Sequence, residues 1–261
     1  MKKNPTKAIV FIAGAFIGNN CWGEWGQLFE RKGYTCMAPA WPNKWGSPEE
    51  LRNRHPNTAI ASNRLDNIID FFANIANNLP EEPILIGHSM GGLIVQLLLQ
   101  HGIGAAGIAI HPFPPANIVA SRYLLLRSLW PAMGFFTTLQ NAYMICYQKW
   151  KDAVANGLPC KEQKQLFYNY AIPESKFIVR DILRSTAKID FSKYHAPLLL
   201  TSGSWDRMVP SAIVAANYKR YRGSNSITDY KDFKGLNHLP FERQAFEEEA
   251  DFVLYWLQGI I

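Results

Sequence analysis

Six short runs, most of them apolar, alternate with stretches of helical spacing, and this alternation limits what the chain can fold into more than any other feature. Lys7 to Ala13, Tyr34 to Ala38, Pro83 to Ile86, Ala105 to Ile110, Pro197 to Thr201 and Ile227 to Phe233 read as strands. Trp22 to Lys32, Ser62 to Asn78, Gly92 to Gln100, Ser211 to Arg220 and Arg243 to Leu257 read as helices; in the second of these Leu65, Ile68, Ile69, Phe72 and Ile75 share one face. Strands apolar on both faces and separated by helices pair in parallel and are covered on both sides. The expected class is therefore α/β, a mostly parallel sheet between two layers of helices. Pro39 to Asn57, rich in Pro, Trp and Asn, reads as a loop. The stretch from Pro115 to Tyr194 breaks the pattern. It holds no convincing buried strand but does hold helical runs of large apolar residues such as Tyr123, Leu124, Leu129, Trp130, Phe135, Phe136 and Trp150. Residues 1–115 and 195–261 are thus expected to form the core, with residues 116–194 a helical cap or lid inserted between two of its strands.

A chain of 261 residues that is 48% hydrophobic can bury one sizeable core. The net charge of +6 raises nucleic acid or membrane surface as a partner, but Lys and Arg are scattered with no basic run of five. A solvated basic surface follows, and no nucleic-acid partner is expected. Cys21, Cys36, Cys146 and Cys160 form no C-x-x-C pair and have no metal-ligand spacing with histidine, so they read as free thiols and no metal is expected. Met1-Lys2-Lys3 followed by the apolar Ala8 to Gly18 imitates a signal peptide, with Cys21 beyond it. Gly18-Asn19-Asn20 makes a poor lipobox, and the same apolar stretch serves as the first core strand. A cytoplasmic protein is expected, with export the alternative if that stretch acts as a signal. No stretch approaches the length of a membrane-spanning helix.

Gly87-His88-Ser89-Met90-Gly91 lies where a strand ends and a helix begins, the context in which G-x-S-x-G forms a sharp turn that lifts a serine hydroxyl clear of the sheet. Such a turn strains the serine backbone and needs glycines where side chains would clash. It also aims the Met90 N–H at the place where an oxyanion would develop. In an open parallel sheet, functional groups gather at the carboxyl ends of the strands, which sorts the six histidines. His195 precedes a strand and His101 ends a helix, so both lie at the far edge. His88 points away from Ser89, His55 falls in the long loop, and His111 follows a strand at the correct edge, where it can line a pocket together with Phe113. His238 follows the last strand and is the best base. Asp206, in the loop after Pro197 to Thr201, is the matching acid. Ser89 is a weak nucleophile unless His238 takes its proton, and Asp206 then holds the imidazole tautomer and stabilises the imidazolium.

Gly87-His88-Ser89-Met90-Gly91-Gly92, Gly203-Ser204-Trp205-Asp206-Arg207-Met208-Val209-Pro210 and Gly235-Leu236-Asn237-His238 together resemble the α/β-hydrolase superfamily. The resemblance runs from the first strand to the last helix and is weak across Pro115 to Tyr194. It implies an eight-stranded-type core, here shortened at its start, and a second oxyanion donor just after a His-Gly pair. That position reads Ala13-Gly14-Ala15-Phe16, which gives the Ala15 N–H, with Phe16 second and also near the pocket. A serine rather than an aspartate at the turn argues against dehalogenase or epoxide-hydrolase chemistry. The resemblance implies cleavage of a carboxylic ester, acyl or aromatic, through an acyl-enzyme intermediate, with no cofactor and a small apolar substrate as partner. The same residues also serve thioesterases, C–C hydrolases and perhydrolases. Outside that class stand a low-turnover ligand-binding receptor and a lipase that adsorbs to lipid interfaces through Leu124 to Phe136.

Overall fold

The structure, a computed structural model, describes residues 6–118 and 131–260. Its centre is a six-stranded parallel sheet in the order β2-β1-β3-β4-β5-β6. The strands are β1 (Ala8–Ile12), β2 (Thr35–Met37), β3 (Ile84–His88), β4 (Ala106–Ile110), β5 (Leu198–Gly203) and β6 (Thr228–Phe233). Every residue of the four inner strands is buried, as their continuous apolar sequences require. The outer strands β2 and β6 are different. β6, Thr-Asp-Tyr-Lys-Asp-Phe, has five of its six residues exposed or half-buried, a polar edge strand of the kind that discourages pairing with another chain.

The strand order reverses between β1 and β3: the chain leaves β1 toward β2, then returns to build the rest of the sheet on the other side. The loops after β1 and β3 therefore diverge and leave a crevice at their carboxyl ends. The helix after β3, Met90–Gln100, is buried from Met90 through Leu99 and packs on β3 and β4, which explains an apolar sequence with no polar face. Helices Gly23–Arg31, Leu65–Asn77, Ser211–Arg220 and Arg243–Ile260 complete the layers.

The segment Pro39 to Asn57, read above as a loop, contains a helix, Pro48–Asn53. Ser47 accepts from the Glu50 N–H, Glu50 accepts from the Ser47 N–H, and Pro48 sits in the first turn, a capping box that fixes this short helix. Between β4 and β5 the described residues form helices Cys160–Tyr170 and Lys176–Asp181 with turns between them. The expected run from Tyr123 to Trp130 lies outside the described residues. The described part of the segment between β4 and β5 is tied to the loop after β1 by main-chain bonds: Ile172 N–H donates to Phe16 O (2.9 Å) and Gly18 N–H to Tyr170 O (2.9 Å). No helix among the described residues is long and apolar enough to cross a membrane.

Candidate active site

Ser89 stands between β3 and its helix with φ 55° and ψ −116°, a backbone conformation that costs a non-glycine residue about 1–3 kcal/mol. The strain is held from both sides. The Ser89 N–H donates to Ile110 O (2.9 Å), and Ser89 O accepts from the Phe113 N–H (2.9 Å) and the Leu93 N–H (3.2 Å). The flanking glycines are required by space. A Cβ on Gly87 would lie 2.2 Å from Gly91 O, and one on Gly91 would lie 2.1 Å from Ile12 O. Backbone thus crosses backbone at the turn, and no side chain fits between.

His238 Nε2 lies 2.9 Å from Ser89 Oγ, and its Nδ1 lies 2.6 Å from Asp206 Oδ2. The other Asp206 oxygen accepts the Met208 and Val209 N–H groups, both at 2.8 Å, so the carboxylate is fixed before it meets the ring. All three side chains are buried. His88 turns away from Ser89, as its place in the strand dictates, yet it has a role the sequence did not suggest. Its Nε2 lies 2.7 Å from His238 O and braces the loop that carries His238. Burial, with His238 and His111 adding to it, holds His88 far below the usual histidine range, so the ring stays neutral and donates.

The loop after β1 closes the other side. Phe16 has φ 65°, and its N–H donates to Glu174 Oε2 (3.2 Å) from the stretch between β4 and β5. The same oxygen binds Lys44 Nζ, and both members of this ion pair are buried. Lys44 also stands over the Trp41 ring, 4.0 Å from its centre. Burial pulls the Lys44 ammonium below its usual range, and Glu174 opposes that. The Phe16 N–H is committed to Glu174, while Ala15 lines the same cavity as Ser89 and Met90.

A model of the alpha/beta hydrolase family matches residues 9–252. The chain belongs to the alpha/beta hydrolase family. No curated protein matches this hydrolase by sequence. Among solved structures, polyneuridine aldehyde esterase is similar at 13% identity, with 95% of this chain and 98% of that chain covered and a TM-score of 0.68. A monoacylglycerol lipase from Paleococcus ferrophilus is similar at 18% identity, covering 99% and 97%, TM-score 0.67. Tomato methylketone synthase I complexed with 2-tridecanone is similar at 12% identity, covering 98% and 99%, TM-score 0.69. At such identities the likeness is one of fold.

In this hydrolase a narrow cavity of about 30 Å³ opens beside Ser89. Phe16, Ile17, Phe113, Ile145, Trp150, Val154, Val179 and Met208 line it, and among the described residues Ser89 and His238 bring the only titratable or hydroxyl side chains. Of the three residues expected in the pocket, Phe16 and Phe113 line it and His111 does not. His111 lies behind the site, fully buried, with Nδ1 3.7 Å from Asp206 Oδ2 and Nε2 3.2 Å from Glu249 Oε1. The cause is local: β4 is followed by His111 at φ 44°, and the His111 N–H donates to Thr201 O of β5, which turns the ring under Asp206. His111, Asp206 and His238 bring nitrogen and oxygen donors within 4.8 Å of one another, the one group among the described residues that could hold a metal. An ion bound at about 2.1 Å to these donors would have to open the bond between His238 and Asp206. Cys21 and Cys36 lie outside this site; burial pushes the Cys36 thiol up to about 12, so it is no nucleophile.

Proposed function

We propose that the chain is a serine esterase that cleaves an apolar carboxylic ester through an acyl-enzyme intermediate. The observation that carries this reading is the unbroken hydrogen-bonded line from Ser89 Oγ through His238 to Asp206, ending at the wall of an apolar cavity. The turn at Ser89 then acts as a nucleophile elbow. His238 takes the hydroxyl proton as Ser89 attacks the carbonyl, and Asp206 stabilises the imidazolium. The Ala15 and Met90 N–H groups receive the oxyanion, helped by the positive end of the buried helix that starts at Met90. His238 returns the proton to the leaving alcohol, and water entering the same route releases the acid. The stretch between β4 and β5 serves as the cap, since Ile145, Trp150, Val154 and Val179 wall the acyl side. The esterase and lipase among the similar structures support the reaction class. The expected ligand is a small ester without charge, because the walls offer nothing to pair one.

The test is a fluorophosphonate probe, which traps an activated serine, followed by peptide mapping. The expected label sits on the peptide that holds Ser89; a label elsewhere, or none, overturns the proposal. A series of p-nitrophenyl esters then sizes the cavity. Each added methylene should raise kcat/KM by about fourfold while apolar wall remains to cover it. The gain should reverse before palmitate. A flat profile from acetate to palmitate would mean that the acyl chain lies outside this cavity.

A further inference from the structure

Two buried ionisable side chains, His111 and Glu249, take no part in the chemistry proposed above. Both have 0% exposure, and they come from different elements, one following β4 and the other on helix Arg243–Ile260. Glu249 shares a helix face with Ala245 and Val253, both buried, a face where a carboxylate has no water to solvate it. A buried carboxylate keeps its charge only beside a cation, and His111 Nε2 at 3.2 Å is the group placed to supply one.

We propose that His111 and Glu249 are positioning residues that extend the line Ser89–His238–Asp206 to five side chains and set the proton affinity of His238. The proposal rests on the reading of Ser89, His238 and Asp206 as the catalytic residues. Its geometry is that of a charge held behind a carboxylate. Asp206 already has bonds from Met208 N–H, Val209 N–H and His238, so at 3.7 Å His111 reaches it as a charge rather than as a donor. The groups that face His111 are Glu249 from the last helix, Asp206 from the loop after β5, His238 from the loop after β6, and His88 from β3. The ring centres of His238 and His88 lie 6.1 Å and 6.4 Å from that of His111. Burial pushes His111 down, but Glu249 and then Asp206 outweigh it and hold the imidazole above the usual histidine range.

At rest the cluster then carries two carboxylates and one imidazolium. It becomes neutral when His238 takes the serine proton, and it does so out of contact with water, where net charge is costly. The imidazolium at His111 has the same sign as the charge that His238 acquires on taking the serine proton, with 6.1 Å between the ring centres. Removing that charge should raise the proton affinity of His238 and move the acid limb of kcat/KM upward.

The experiment is nitrogen-15 histidine NMR on the intact protein, with Glu249→Gln as the main variant because it keeps shape, and His111→Gln as the second. In the wild type, His111 should carry protons on both nitrogens at pH 7. In each variant the His238 titration should rise by about half to one pH unit, and the acid limb of ester turnover should follow. A neutral His111 at pH 7, or a His238 titration that does not move while only Tm falls, overturns the proposal. Since the NMR reads His238 directly, the outcome stands apart from whether any ester is turned over.

Discussion

Ser89→Ala is expected to lower ester turnover by about four to six orders of magnitude while leaving Tm within about a degree or two of the wild type. The size of the loss follows from the geometry. His238 and Asp206 remain in place, held by the Met208 and Val209 N–H groups and by His88, but the proton they would accept is gone. What remains is substrate positioning and the oxyanion donors, which accelerate attack by water only weakly. The stability is untouched because the Ser89 conformation is fixed by its main-chain bonds to Ile110, Leu93 and Phe113 rather than by its hydroxyl. Alanine keeps the Cβ that the turn already accommodates. Turnover within tenfold of wild type in the purified variant would sink the serine mechanism. Asp206→Asn should cost about 10⁴-fold, since the amide favours the wrong tautomer of His238.

The second large effect concerns stability. Lys44→Met is expected to destabilise the fold by about 3–5 kcal/mol, because it leaves the Glu174 carboxylate buried without its cation. For a chain of this size that is roughly a ten-degree fall in Tm, readable by calorimetry. Glu174→Leu should destabilise similarly and should also lower kcat more than Lys44→Met does. Only Glu174 holds the Phe16 N–H, and through it the direction of the neighbouring Ala15 N–H. Equal kcat in the two variants, or a Tm shift under about two degrees in either, would show that the pair fixes neither the fold nor the loop. Where the resemblance leads one to expect a histidine, the chain has Ala13, and the carboxylate of Glu174 is what anchors the loop here.

The parts of this site that could be read in the sequence are those with a short-range pattern. The glycines around Ser89, the apolar run before it and the places of Asp206 and His238 after strands all follow from turn sterics and from the carboxyl-edge rule. The helix Pro48–Asn53 does have a local signal, since Ser47-Pro48-Glu49-Glu50 is a capping-box pattern, but it sits in a segment whose Pro and Asn content suggests a loop. Glu249 also left a trace. It occupies the apolar stripe between Ala245 and Val253, four residues from each, where a solvated charge does not belong. Lys44, Glu174 and the brace from His88 left none. Their partners lie 130, 158 and 150 residues away, and no local pattern encodes such a pairing. His111 was assigned to the correct edge of the sheet, but its side of the sheet depends on a positive φ that sequence does not announce.

The apolar lining of the cavity also shapes what happens after the chemistry. An ester entering this space is uncharged and is drawn in by the same walls that exclude water. The acid that leaves the serine ionises, and beyond the oxyanion groups and the unpartnered Trp150 indole N–H the lining offers no Lys or Arg to keep it there. The reaction therefore turns a good ligand into a poor one in place. Expulsion of the acid is downhill, and its accumulation in solution should slow the enzyme little.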